Sequence, residues 1–118
     1  MEFSSNIAIW AQIAAAIRND IASGKLSPGS KLPGGRELAL QYSVNPNTAA
    51  RVYQELEKDG ICVTRRGLGT YVTEDTSRIS ALRRESAGKL ISLYLSQMRA
   101  LGYSDTEARE MITKESEL

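Results

Sequence analysis

Apolar residues recur at steps of three and four early in the chain. Trp10, Ile13, Ile17 and Ile21 fall on one face, which predicts a helix over 7–23. Ser5 or Asn6 is placed to cap its start, and Gly24 suits the left-handed position beyond its end. Ser27-Pro28-Gly29 then marks a turn between short extended pieces. A shorter helix is predicted from Arg36 to about Tyr42, with Leu38 and Tyr42 sharing its buried side. It stops there because Ser43-Val44-Asn45-Pro46 follows, and the residue before a proline is pushed out of helical geometry. Asn45 is a strong N-cap and proline is at home at the first helical position, so a third helix runs from Pro46 to near Asp59-Gly60.

At 100° per residue, Ala49, Val52, Tyr53 and Leu56 gather on one side of that third helix, and Asn47, Arg51 and Gln54 on the other. The period then changes. Ile61 to Thr64 and Thr70 to Thr73 are rich in β-branched and aromatic residues, while Arg65 to Gly69 between them carries two arginines and two glycines. That is a β-hairpin with a basic tip. Helical spacing returns over 75–101 through Ile79, Leu82, Leu90, Tyr94, Met98 and Leu101, widened by Ile91, Leu93 and Leu95. Gly102 ends this helix. Ser104-Asp105-Thr106-Glu107 reads as a capping box that opens a last helix with Met111 and Ile112 turned inward, and residues 115–118 are expected to fray. The predicted core of the first part is Trp10, Ile13, Ile17, Leu38, Val52, Leu56 and Val72.

The composition removes several function classes. The 118 residues suit one ordinary domain or a small one with an appendage, and 42% apolar content argues against disorder. No apolar run approaches the roughly 20 residues of a membrane span, and the N-terminus does not read as a secretory signal. With a single cysteine, Cys62, no internal disulfide framework is expected, and the chain reads as a cytoplasmic protein. There is no histidine, so the commonest metal ligand, triad base and proton shuttle are missing. Cys62 between Ile61 and Val63 reads as a small hydrophobe. No phosphate-binding GxxxxGK[ST] loop is present, and Gly67-Leu68-Gly69 belongs to a hairpin. The sequence therefore predicts neither an enzyme nor a cofactor nor a metal site.

What remains is recognition chemistry. Two helices at a sharp angle followed by a basic hairpin are a DNA-reading arrangement. Asparagine pairs bidentately with adenine and arginine with guanine, while threonine reaches a phosphate or a thymine methyl. Arg36, Asn45, Asn47, Thr48, Arg51, Arg65, Arg66 and Gly67 are the candidate DNA-binding residues. Global charge counts against this reading, since the net charge is only +1 and the pI about 7.8. Local charge helps modestly: residues 1–73 carry eight Lys/Arg against six Asp/Glu, and 74–118 carry seven against eight.

These residues resemble a known family. Ile9-Trp10-Ala11-Gln12-Ile13, Gly24-Lys25-Leu26-Ser27-Pro28-Gly29, Leu32-Pro33 with Arg36-Glu37-Leu38-Ala39, and Gly69-Thr70-Tyr71-Val72 resemble the DNA-binding domain of the GntR family of bacterial transcription regulators. Val44-Asn45-Pro46-Asn47-Thr48 followed by Tyr53-Gln54-Glu55-Leu56 is similar to its short YtrA-like subfamily. The resemblance implies an α+β, mostly α fold: a winged helix-turn-helix over 1–74 and a two-helix dimerisation tail over 75–118. It implies DNA contacts at Arg36, Asn45, Asn47, Thr48, Arg66 and Gly67. Arg51 and Arg65 come from their position on the exposed face and at the tip. Two departures stand out. Gly34 replaces the family's usual serine after Leu-Pro, and Pro46 replaces an arginine found in some relatives.

The tail carries more apolar surface than two helices can bury alone, so a second copy is its expected partner. Leu90, Ile91, Tyr94, Met98, Leu101, Met111 and Ile112 are the candidate dimerisation residues. The expectation is a homodimeric, sequence-specific DNA-binding regulator on a two-fold symmetric operator, with repression favoured over activation. The alternative is a winged-helix protein-interaction module. Nothing indicates a small-molecule effector. The tail is too short to enclose a drug-sized pocket within one chain, so an effector would have to bind at the dimer interface or between domains.

Overall fold

The structure is a computed structural model that describes residues 1–116. In these the chain runs α1 (Ile9–Ala22), α2 (Gly35–Tyr42), α3 (Pro46–Lys58), β1 (Cys62–Arg65), β2 (Gly69–Val72), α4 (Thr76–Ala100) and α5 (Asp105–Ser116). Of the stretch expected to fray, residues 115 and 116 are helical, and 117–118 lie outside the described residues. The backbone divides into two compact units, Met1–Arg83 and the segment from Arg84 onward.

In the first unit, Ile13, Ile17 and Ile21 of α1 meet Leu38 of α2 and Ala49, Val52, Tyr53 and Leu56 of α3. Each large apolar side chain buried here contributes about 1.5–3 kcal/mol. Trp10 is only half-buried and packs against the edge of this core; Leu32, Ile61 and Cys62 complete it. The predicted cap of α1 is not formed. Ala8 holds the N-cap position without a side-chain bond. Gln12 fixes the leading turn instead, accepting the Ser4 N–H at 2.8 Å and donating to the Ser4 and Ile7 carbonyls at 2.9 and 2.8 Å. An amide one turn inside the helix thus takes over the work expected of Ser5 or Asn6.

The sharp turn between α2 and α3 rests on two residues. Ser43 adopts a left-handed conformation at φ 55°, and the Val44 N–H reaches back to the Ala39 carbonyl at 2.9 Å, closing the end of α2. A non-glycine residue held this way costs about 1–3 kcal/mol, which the surrounding packing must offset. Asn45 then caps α3, and Pro46 takes its first position. Tyr53 spans the motif by donating its hydroxyl to the Pro33 carbonyl.

β1 and β2 pair antiparallel, with Cys62 opposite Val72 and Arg65 opposite Gly69, so the turn itself is Arg66-Gly67-Leu68. The segment before α2 lines the free edge of β2. Leu32 donates to the Thr70 carbonyl at 2.8 Å, Val72 to Ser30 at 2.9 Å, and Lys31 bridges to Tyr71.

The first unit continues past the expected boundary at 74. Asp75 caps α4 by accepting from the backbone N–H groups of Ser77 and Arg78 and from the Ser77 hydroxyl; these bonds, the hydroxyl's first, hold its carboxyl below the usual range. Arg78 donates to the Asp59 carbonyl at 2.8 Å, while the Asp59 carboxylate pairs with Arg18 at 2.5 Å. Leu82, only 3% exposed, and Ile79 pack on the core.

The second unit pairs the rest of α4 with α5. The capping box forms as expected, Ser104 and Glu107 each accepting the other's N–H at 3.1 and 3.0 Å. Arg99 clamps Asp105 through two bonds of 2.8 Å and depresses its carboxyl. Tyr94 donates to the Ala108 carbonyl at 2.7 Å, and Ala108 is buried. Of the two side chains expected inward, Met111 is half-buried and Ile112 is 53% exposed. Ala108, three and four residues before them, takes the central inward position.

Candidate nucleic-acid interface

Local sequence explains how the first turn of α3 is presented. The Asn45 side chain accepts the Asn47 N–H at 2.8 Å, so its oxygen is committed to the cap, and the residue is exposed. Pro46 carries no N–H and fits the first position without loss. Asn47 is exposed and Thr48 half-exposed on this turn, while Ala49 behind them is fully buried and pins the helix to the core. α2 packs against α3, and α3 against β1, so the elements carrying Arg36, the α3 start and the hairpin adjoin one another. Arg36 is exposed in the first turn of α2, whose N-cap is Gly34 with no side-chain bond. Arg66 and Gly67 stand exposed at the hairpin turn, where Gly67 takes φ 77°, a conformation costly for any residue with a side chain.

The guanidinium groups of Arg51 and Arg65 are both engaged within the chain. The Arg51 guanidinium lies 4.4 Å from the centre of the Trp10 ring and pairs with Glu55 at 3.1 Å. Arg65 lies 5.0 Å from the Tyr71 ring and 3.8 Å from Glu74. Exposed pairs of this kind are worth about 0–1 kcal/mol, so either arginine can be drawn away by a stronger partner. The role of Trp10 as a rest for Arg51 has no signal in the sequence. Its helical spacing shows only an apolar face.

In the second unit, Tyr94, Met98, Met111, Ile112 and Glu115 line an open groove of about 540 Å³. Leu90, Ile91 and Leu101 are 68%, 60% and 74% exposed. Counting 100° per residue from Leu90, Tyr94, Met98 and Ile91 all fall within one 100° sector of α4, and Leu101 follows directly after its end. Among the described residues no cluster of His, Cys, Asp and Glu could hold a metal ion, and no helix is long and apolar enough to cross a membrane.

Burial pushes the Cys62 thiol up to about 12, with the nearby Glu57 carboxylate adding to the shift. Because the thiolate is the reactive form, Cys62 is expected to resist a thiol reagent at pH 8 in the native chain and to react fully once denaturant is added. Rapid native-state labelling would contradict this placement.

Similarity to known proteins agrees with the geometry. The family model described as bacterial regulatory proteins, gntR family, matches residues 10–72. The chain is 39% identical to the HTH-type transcriptional regulator YhcF of Bacillus subtilis, over 94% of this chain and 92% of that one. It is 44% identical to the HTH-type transcriptional repressor YtrA of the same organism, over 60% of this chain and 55% of the relative. A GntR family transcriptional regulator from Listeria monocytogenes superposes with a TM-score of 0.87 at 38% identity, covering 95% and 98% of the two chains. The DNA-binding domain of AraR, solved in complex with operator ORR3, superposes at 0.56 with 30% identity, over 62% of this chain and 86% of that one. A winged helix-turn-helix built on these residues, matched across more than half the chain, shows that it belongs to the GntR family of DNA-binding transcription regulators.

Proposed function

We propose that this regulator binds a two-fold symmetric operator as a homodimer in the cytoplasm and represses transcription from it. α3 enters the major groove, with Asn47 and Thr48 on base edges and phosphate, and the hairpin enters the adjacent minor groove through Arg66 and Gly67. Arg36 and the Asn45 amide reach the flanking backbone. Arg51 and Arg65 join on binding, leaving Glu55 and Glu74. The observation that carries this reading is the Asn45-capped first turn of α3, which holds Asn47 outward while Ala49 is buried beneath it. The AraR domain solved on its operator supports the partner, and the B. subtilis repressor YtrA supports the direction of control. The exposed apolar sector of α4, with Leu90 and Ile91 alongside Tyr94 and Met98, and Leu101 just past its end, supports the dimer, with Met111 and Ile112 contributed by α5.

Footprinting tests the arrangement. A dimer sets two recognition helices in successive major grooves, so two protected half-sites are expected with centres about 10 base pairs apart or a multiple of that. A single unpaired half-site at saturation would contradict it.

A further inference from the structure

We propose that Lys31 is a DNA-phosphate contact, seating one backbone strand in the groove between the start of α2 and the hairpin. The inference rests on the DNA-binding mode above and adds a residue to it. Three observations carry it. Lys31 sits on the segment that bridges to Tyr71 along the free edge of β2, so its backbone is fixed to the hairpin itself. Its stem lies across Gly69: a Cβ there would come within 3.0 Å of the Lys31 Cε. The missing side chain at Gly69, whose φ of 121° also favours glycine, leaves the room this lysine occupies. The space beside it is an open groove of about 510 Å³ lined by Lys31, Pro33, Gly34, Glu37, Leu68 and Gly69.

Charge sharpens the assignment. Arg18, Arg51 and Arg65 are paired with Asp59, Glu55 and Glu74, whereas Lys31 is exposed and makes no ion pair among the described residues. Glu37 lines the same groove without pairing to it. An unpaired ammonium on a flexible stem suits a phosphate oxygen, which it meets as a point charge. Such a contact sets position and register and carries no sequence information.

The test is the salt dependence of binding by the full chain carrying Lys31→Ala, measured on the operator and on an unrelated duplex. Losing one phosphate contact from each protomer should flatten the log–log slope by about two for the bound dimer, with the same fold-weakening on both duplexes. Lys31→Arg should restore the slope, and the thermal melt of either variant should match the native chain. An unchanged slope in Lys31→Ala overturns the assignment, as does a loss confined to the operator. Failure of the underlying binding mode would show separately, in the native chain's own footprint.

Discussion

Asn47→Ala is expected to weaken operator binding by roughly 1–3 kcal/mol for each half-site, about 5- to 150-fold each, and to relax preference at one base pair of each half-site. The loss follows from what the Asn47 side chain is free to do. Its backbone N–H is held by the Asn45 cap, yet the residue is exposed on the first turn of α3 and its side chain has no partner among the described residues. Removing it therefore costs the fold little and the complex one bidentate pair in each half-site. Asn45→Ala is the informative companion. It removes the cap, so it should lower stability by about 1 kcal/mol and weaken binding through a looser first turn. A thermal melt separates the two: unchanged for Asn47→Ala, lowered for Asn45→Ala. Arg66→Ala should weaken binding with an unchanged melt, through the minor groove. Operator affinities for Asn47→Ala and Arg66→Ala equal to the native chain's would mean that another surface reads the DNA.

Much of this site was legible because its chemistry is local. Asn-Pro is a strong local signal for a helix start, and β-branched and aromatic runs around a glycine-containing turn signal a hairpin, so α3 and the wing were readable to within a residue or two. What the sequence hid depends on tertiary contact. Net charge misled because paired charges cancel in the total. Arg18–Asp59, Arg51–Glu55, Arg65–Glu74 and Arg99–Asp105 neutralise one another in place, while Lys31, Arg36 and Arg66, near the groove and the wing, make no ion pair among the described residues. The role of Lys31 needs the β2 edge to bring position 31 beside position 69, which no local pattern announces. The cap of α1 was misread for a similar reason. Ser5 and Asn6 are good capping residues, but the Gln12 amide binds the Ser4 and Ile7 backbone first. The end of the first unit was hidden because one continuous helix, α4, runs from Thr76 to Ala100 across it, while burial picks out Ile79 and Leu82 as part of the N-terminal core.

Charge placed in the tail should give the largest effect on operator binding. A dimer joins two weak half-site contacts, so the second forms at high effective concentration and avidity can add roughly 10²–10⁴-fold. Cutting after Thr73 would confound the measurement, because it removes the buried Leu82 and the Arg78 bond to Asp59, and losing a buried leucine costs about 2–5 kcal/mol. A cut after Arg83 keeps both. Point charges are cleaner still. Tyr94 is a poor target, since its hydroxyl holds the Ala108 carbonyl within the tail. Leu90 and Ile91 are mostly exposed, so Leu90→Glu with Ile91→Lys leaves the chain's own packing intact. At an interface between copies the same change buries unpaired ions, and that is strongly destabilising. The variant should sediment as a monomer, melt like the native first unit, and lose operator affinity by that avidity factor while keeping its weak contact with a single half-site. A native chain that sediments as a monomer at tens of micromolar and still binds the operator tightly would remove the dimer from the mechanism.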